Sequence, residues 1–372
     1  MAANIFSCCV PIRQYRQREQ ARRAATARSE AIDKELAGTR TDLKVLLLGS
    51  PGSGKSTFIK QLRSTCIDGD EFTNEEVERY RDIIYSNVIE GLKSLLDARS
   101  KLQIPWDDAA NEEHAARVID CDTSQLNPRT FATHVSSCKA LWADNGIQEA
   151  YKRRDEFQLE SCVGYFLDEL DRIGNEDYHP YIQDILYAQQ STPGVAEYVS
   201  ESRDLVRRFI DLGALLRYKK VFTHFEDVRA VLYFVSVDEF DQVLTAGTND
   251  EGTGSTNWLM KECDALSLIL KCRWFTGSQV FLILNKADLL EQKIKHVNLK
   301  DFFPQFDRDP RNIDQVKEFI FDLFEKRCDS RWGDAFCTYF ITAVDQINMA
   351  SVWSAMSDAI RPLPKGSPFV LY

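Results

Sequence analysis

No stretch of this chain strings together the roughly 20 apolar residues that a membrane-spanning helix needs, so any membrane contact is expected to be peripheral. A secretory leader is not expected, and the chain's 10 cysteines lack metal-ligand spacing. They read as reduced thiols in a cytoplasmic protein. Cations are in the minority, 46 Lys and Arg against 57 Asp and Glu. The resulting net charge of −11 excludes general nucleic-acid binding, which needs a basic surface. Position 2 is Ala, so the glycine required for N-myristoylation is missing. Glycine and proline are absent from 12 to 37, where Arg13, Arg16, Arg18, Arg22, Arg23 and Arg28 face only Glu19 and Glu30 before residue 31. That segment is expected to be an exposed basic helix, either suited to an acidic membrane surface or protein partner, or simply solvated. Cys8 and Cys9 beside it are lipidation candidates, with free thiols as the alternative.

Against those absences stands one dense motif. Gly49-Ser50-Pro51-Gly52-Ser53-Gly54-Lys55-Ser56-Thr57 follows the apolar run Val45–Leu48 and fits G-x-x-x-x-G-K-[ST] without a gap. A buried strand ends, glycines turn the backbone, and N–H groups point inward at a helix start, where unsatisfied donors attract anions. Gly52, Ser53, Gly54, Lys55, Ser56 and Thr57 are the expected phosphate contacts. Lys55 would reach the β- and γ-phosphates and Ser56 would ligate Mg²⁺. A chance glycine-rich turn is the bland alternative, disfavoured by the strand before and the helical pattern after.

The base is indicated far downstream. Phe281-Leu282-Ile283-Leu284 reads as a second buried strand, and Asn285-Lys286-Ala287-Asp288 sits at its end. A carboxylate there accepts both the ring N–H and the exocyclic amine of guanine. Adenine has no such donor pair and would leave the aspartate unpaired. Alone, Asn-Lys-x-Asp could be an ordinary turn. After a strand and downstream of a phosphate loop, it points to guanine.

Strand-like runs at 43–48, 205–210, 231–237, 280–284 and 338–342 alternate with helical patterns. That alternation predicts a mostly parallel sheet with helices on both faces and ligands at the carboxyl ends of its strands. Between 65 and 180 strand signals vanish, and Val77, Tyr80, Ile84, Val88, Leu92, Leu95 and Leu96 recur at helical spacing, as expected of a helical insertion. Gly247 to Ser255 reads as a mobile surface loop.

Further stretches fill out the pattern: Ile32–Leu36, Tyr85-Ser86-Asn87, Asp168–Ile173, Thr192 with Gly194, Asp211-Leu212-Gly213, Thr342–Asp345 and a tail ending Leu371-Tyr372. With the two motifs above, they resemble the α subunits of heterotrimeric G proteins over essentially the whole chain. The resemblance implies an α/β fold: a Ras-like P-loop GTPase domain at 41–64 and 184–372, an inserted all-helical domain at 65–183, and an N-terminal helix at 1–40. It implies GTP or GDP as bound nucleotide, with Mg²⁺ held by Ser56 and Thr192 and by Asp211 through water. Asn285, Lys286 and Asp288 would bind guanine, and the Ala343 N–H would meet its carbonyl. The implied partners are G protein βγ subunits, a seven-helix receptor and a downstream effector, at the inner face of the plasma membrane.

The resemblance fails where hydrolysis is concerned. Gln189 stands where the family has its catalytic arginine, and no Arg occurs from 181 to 200. Ala214 and Leu215 replace a glycine and the water-orienting glutamine, and no Gln occurs from 191 to 241. Gly52 replaces a glutamate, Pro51 a glycine, and Pro193 follows Thr192. An arginine of this kind is worth about 10³–10⁵ in rate, a magnitude established on this family and not on this chain. That amounts to on the order of 4–7 kcal/mol of barrier. Arg153 and Arg154 in the insertion are the conceivable substitutes. Three readings follow: a G protein α subunit that hydrolyses GTP poorly, an interaction protein that keeps the fold but ignores nucleotide, and an ATP-dependent enzyme. The Asn285–Asp288 segment disfavours the last.

Overall fold

A computed structural model describes residues 41–66, 72–157, 159–191, 194–201, 205–213, 227–244, 256–275, 277–327 and 336–360. Cys8, Cys9 and the rest of 1–40, Thr192, Pro193, Ala214, Leu215, the 247–255 loop and the tail at Leu371-Tyr372 lie outside the described residues.

Strand β1, Thr41–Gly49, runs into helix α1, Lys55–Gln61. An all-helical stretch follows: α2, Asn74–Lys101; α3, Asn111–Ile119; α4, Pro128–Ala143; α5, Asn145–Lys152; α6, Val163–Asp168; α7, Leu170–Ile173; and α8, Ile182–Tyr187. Strands β2, Ala196–Glu201, β3, Leu205–Asp211, and β4, Val228–Ser236, come next. A short antiparallel ribbon pairs β5, Val243–Leu244, with β6, Thr256–Asn257. The chain then adds α9, Trp258–Leu270; β7, Gln279–Asn285; α10, Ala287–Lys293; α11, Ile313–Glu325; β8, Phe336–Phe340; and α12, Gln346–Ala359.

The sheet order is β2-β3-β1-β4-β7-β8, and the pairs β1·β4, β4·β7 and β7·β8 are parallel. Side chains alternate across a strand, and β4 shows the consequence. Val231, Tyr233 and Val235 join one core with Leu259, Cys263 and Leu266 of α9 and Ile320 of α11. Phe234 faces the other way, 5.2 Å from the Phe58 ring of α1, which lies 6.4 Å from Trp353 of α12. Both faces are therefore covered by helices, as parallel sheets require. Val199–Glu201 and Leu205–Arg208 belong to a small separate unit with Asp42 and Leu43, within which Arg208 Nε donates to Asp42 Oδ2 at 2.7 Å.

One strand expectation shifts, and one strand has no counterpart among the expectations. The run expected at 338–342 pairs only as Phe336–Phe340. Ile341 N–H still donates to Leu284 O, but its carbonyl turns to accept from Ala287 N–H, so the chain leaves the sheet there. The strand Ala196–Glu201 carries no expectation from the sequence, only one of its six residues being buried.

The helical stretch has a core of its own. Ile84, Tyr85, Val88, Leu92 and Leu95 of α2 are fully buried among Phe131, Cys138, Leu141, Ile147 and Phe166, and Tyr85 stacks on Phe131 with centroids 4.1 Å apart. α2 starts in a capping box in which Thr73 and Glu76 exchange side-chain and backbone bonds, satisfying two of the orphan donors of a helix start.

Asp184 closes this stretch onto α8. Fully buried, it accepts from Tyr165 Oη at 2.7 Å, Arg172 Nη1 at 2.7 Å and Nη2 at 2.8 Å, Tyr178 Oη at 2.9 Å and Tyr181 N–H at 2.8 Å. Burial pushes its carboxyl up, but the bonds from Arg172, Tyr165, Tyr181 and Tyr178 outweigh it and hold the group below the usual carboxylate range. Its stabilisation is present above the ordinary Asp range and is lost as pH falls through the depressed value. Asp184→Ala is expected to destabilise the fold at neutral pH toward the lower end of about 3–5 kcal/mol, because Arg172 keeps some water access. Urea unfolding followed by far-UV circular dichroism checks this, and a wild-type midpoint would contradict it.

Candidate functional site

The turn from β1 to α1 is fixed by glycine. Gly49 has φ 134°, and a Cβ there would meet Phe234 O at 2.2 Å. Gly54 has φ 101°, and its Cβ would meet Asn285 Nδ2 at 2.0 Å. Both positions combine a left-handed backbone with a wall, so no other residue fits without movement. Gly52, φ 75°, faces open space, and Pro51 is exposed beside it. Inside the turn, Ser53 Oγ donates to Ser50 O at 2.7 Å. Lys55 Nζ folds back to donate to Gly49 O at 2.9 Å and Ser50 O at 2.8 Å. Burial lowers the Lys55 pKa, with Asp211 and Glu262 opposing. The ammonium is thus held inside the loop, at the mouth of a helix start.

Ser56 and Asp211 meet although they lie far apart in sequence: Ser56 Oγ donates to Asp211 Oδ2 at 3.2 Å. Gly213 N–H donates to the other carboxylate oxygen at 3.0 Å, which orients it. A hydroxyl and a carboxylate side by side are hard oxygen donors of the kind Mg²⁺ takes. Thr192, the third expected ligand, lies outside the described residues. Among the described residues no group of three or more His, Cys, Asp or Glu is placed to hold a metal, and Cys121, Cys138, Cys162, Cys263, Cys272 and Cys337 are free thiols.

The Asn285–Asp288 segment reaches the same loop through Asn285 at the end of β7. Its Nδ2 donates to Ser53 O at 2.8 Å, and its Oδ1 accepts from Ala343 N–H at 3.0 Å. A guanine carbonyl would have to share that N–H with Asn285 or displace it. Asp288, half-buried on α10, accepts from Thr342 Oγ1 at 3.2 Å. Lys286 takes a left-handed backbone, φ 64°. Its Nζ lies 3.6 Å from Glu239 Oε1 and 3.8 Å from Asp238 Oδ1. Burial lowers the Lys286 pKa, but these two carboxylates outweigh it, and the net direction is up. Glu239 in turn is pushed up to about 7, by burial first, with Lys286 opposing and Asp238 adding.

The residues tied to hydrolysis are placed differently. Gln189 exchanges backbone bonds with the Asn87 amide, both at 2.8 Å, and its Nε2 donates to Ser161 Oγ at 2.9 Å. Leu215 lies outside the described residues. Arg153 forks onto Glu156 at 2.6 and 2.7 Å, and Arg154 lies over the Tyr151 ring while donating to Tyr151 O. Both candidate substitutes are thus engaged with near neighbours in the chain. Sequence reasoning missed Lys60, whose Nζ donates to Ile185 O at 2.9 Å and Ala188 O at 2.6 Å and whose pKa burial lowers to about 8. It also missed Asp238 and Glu239 as partners of Lys286. No sequence signal marks these pairs, because the partners are far apart in the chain and meet only in the folded protein.

The comparisons with known proteins agree with this geometry. The family described as G-protein alpha subunit matches residues 22–360. The chain is similar to guanine nucleotide-binding protein subunit alpha-13 of Homo sapiens, 38% identical over 345 residues that cover 90% of this chain and 89% of that protein. The Mus musculus alpha-13 is 38% identical over 372 residues, 96% and 95% of the two chains. The Rattus norvegicus alpha-12 is 37% identical over 348 residues, 91% and 89%. With that coverage, and with phosphate loop and Asn285–Asp288 segment meeting at the strand ends, the chain belongs to the G-protein alpha subunit family and is a signal transducer of that kind.

Proposed function

We propose that this alpha subunit binds GTP and GDP with Mg²⁺ and hydrolyses GTP poorly. The observation that carries the reading is the convergence of Lys55, the Ser56–Asp211 pair, and Asn285 with Ala343 on one loop. Gly52, Ser53, Gly54, Lys55, Ser56 and Thr57 would cradle the phosphates, and Asn285, Lys286, Asp288 and Ala343 would read guanine. Ser56, with Thr192 and a water on Asp211, would hold Mg²⁺, which neutralises charge on the β- and γ-phosphate oxygens. The nucleotide would sit in a Ras-like domain at 41–64 and 184–372, with 65–183 as the helical insertion. The proposed partners are βγ subunits, a seven-helix receptor and an effector. Among the described residues no helix is long and apolar enough to cross a membrane, so attachment would be peripheral, through the basic N-terminal segment and Cys8 and Cys9. The rival reading, a nucleotide-insensitive interaction protein, draws support from Ala214, whose Cβ opposes the backbone rotation the family's glycine allows.

Base preference is expected to reside in Asp288. Asp288→Ala should abolish the preference for GTP over ATP and weaken GTP binding by several kcal/mol, as a charge-assisted pair of hydrogen bonds is lost. Titration with labelled nucleotides checks this, and equal affinity of the unmutated protein for GTP and ATP would sink the assignment.

Hydrolysis is expected to be slow at the chemical step. Gln189 carries no charge to spread over the developing γ-phosphoryl oxygens, and Leu215 cannot hold a water in line. Single-turnover hydrolysis of preloaded GTP should run well below the rate of ordinary family members, and Gln189→Arg with Leu215→Gln should raise it if Ala214 permits closure. An ordinary single-turnover rate would refute the lost-catalysis reading, and failure to load GTP would favour the nucleotide-insensitive rival.

Membrane attachment is expected to need two signals, since one acyl chain or a basic helix alone binds only marginally. Replacing Cys8 and Cys9 by Ser should move the protein from the membrane to the soluble fraction, and unchanged fractionation would remove acylation as the anchor.

A further inference from the structure

Gln189 is gripped from the helical stretch at three points. Its N–H donates to Asn87 Oδ1, its carbonyl accepts from Asn87 Nδ2, and its own amide donates to Ser161 Oγ. Asn87 sits on α2 and Ser161 just before α6, elements that share the core around Tyr85 and Phe166. The residues leading into Gln189 are gripped from the opposite direction. Lys60 of α1 holds the carbonyls of Ile185 and Ala188, and Thr57 Oγ1 donates to Leu186 O at 3.5 Å. The segment 185–189, where the helical stretch ends, therefore carries bonds both to α1 and back to α2 and the residues before α6.

The same part of the helical stretch comes close to the base-reading residues. Glu160, next to Ser161, adds to the positive character of Lys286, and burial together with the Asp288 carboxylate pushes the Tyr187 hydroxyl up and keeps it neutral. Gln183 Nε2 donates to Val344 O at 3.5 Å, beside Ala343. A nucleotide resting on the phosphate loop with its base at Asp288 would lie under Glu160 and Ser161. Its departure would require that edge to lift, and Gln189 is one of the side chains that tie the edge down.

We infer that Gln189 is a positioning residue whose side chain, through Ser161, latches the helical insertion over the bound nucleotide and slows its release. The role rests on the nucleotide-binding reading above. It also assigns a use to the residue that stands where the family has its arginine: the position has exchanged a charge aimed at phosphate for an amide aimed at the insertion. The amide supplies a donor of the right length for the Ser161 hydroxyl, at 2.9 Å.

The test is dissociation of labelled GDP, chased with excess unlabelled GDP, from the Mg²⁺-loaded full chain. A lost side-chain hydrogen bond of ordinary strength should speed release about three- to tenfold in both Ser161→Ala and Gln189→Ala. The double variant should be no faster than the faster single one, because both remove the same bond. Ser161→Thr keeps the hydroxyl and should release GDP at the wild-type rate. Unchanged release in Ser161→Ala, or additive effects in the double variant, would overturn the latch. If the wild-type chain fails to load GDP, the nucleotide-binding reading falls and the release role with it. Amide hydrogen exchange over 185–191 in Ser161→Ala then decides whether the tie itself exists: faster exchange than wild type supports it and equal exchange overturns it.

Discussion

One buried amide sets the register of the whole site. Asn285 bonds the carbonyl of Ser53 with one end and the N–H of Ala343 with the other, and it is almost fully buried. Three loops that follow three different strands are thereby fixed against one another. The wall it presents also explains Gly54, since a Cβ there would meet the Asn285 nitrogen at 2.0 Å. Leaving either buried partner unsatisfied costs about 1–3 kcal/mol, so the loop conformation and the placement of the base-reading segment stand or fall together. Other groups at the site are arranged around this fixed point: Lys55 spans the loop from within, and Asp288 is held by Thr342, which neighbours Ala343.

Such a constraint is what makes part of the site legible in a sequence. The phosphate loop is contiguous, and each of its glycines answers a local backbone demand, so the pattern Gly49 to Thr57 carries its own geometry. Asn285 to Asp288 is equally compact, and the apolar run before it announces the strand that delivers it. The alternating strands and the helical spacing of Ile84, Val88, Leu92 and Leu95 were readable for the same reason, because each reports a period along one element. The strand Ala196–Glu201 was not, since an edge segment with only one of its six residues buried has no apolar face to advertise. Nor was the early end of β8, which depends on Ile341 turning its carbonyl to Ala287.

What the sequence hid are pairings across the fold. Lys60 carries no expectation from the sequence, yet it is half-buried and donates to two carbonyls. Asp238 and Glu239 carry none either, yet they flank Lys286 and one of them is pushed up to about 7. Asp184 carries no expectation of a packing role from the sequence, yet five donors converge on it. In each case the chemistry belongs to a neighbourhood that the sheet and the helical core assemble, and no local pattern encodes it.

The same distinction bears on how this alpha subunit diverges from its relatives. The groups that fix the loop and the base-reading segment are tied into backbone geometry, so changing them would disturb the fold itself. The position of Gln189 is different, because its backbone is held by Asn87 while its side chain reaches outward to Ser161. A side chain on a fixed backbone can be exchanged at little structural cost, and its new contact then determines what the position does. Under the proposed function, Gln189 and Leu215 in place of an arginine and a glutamine would therefore be compatible with an intact nucleotide cradle. In such a protein, the lifetime of the bound state would be governed by what holds the nucleotide in place more than by the chemistry that ends it.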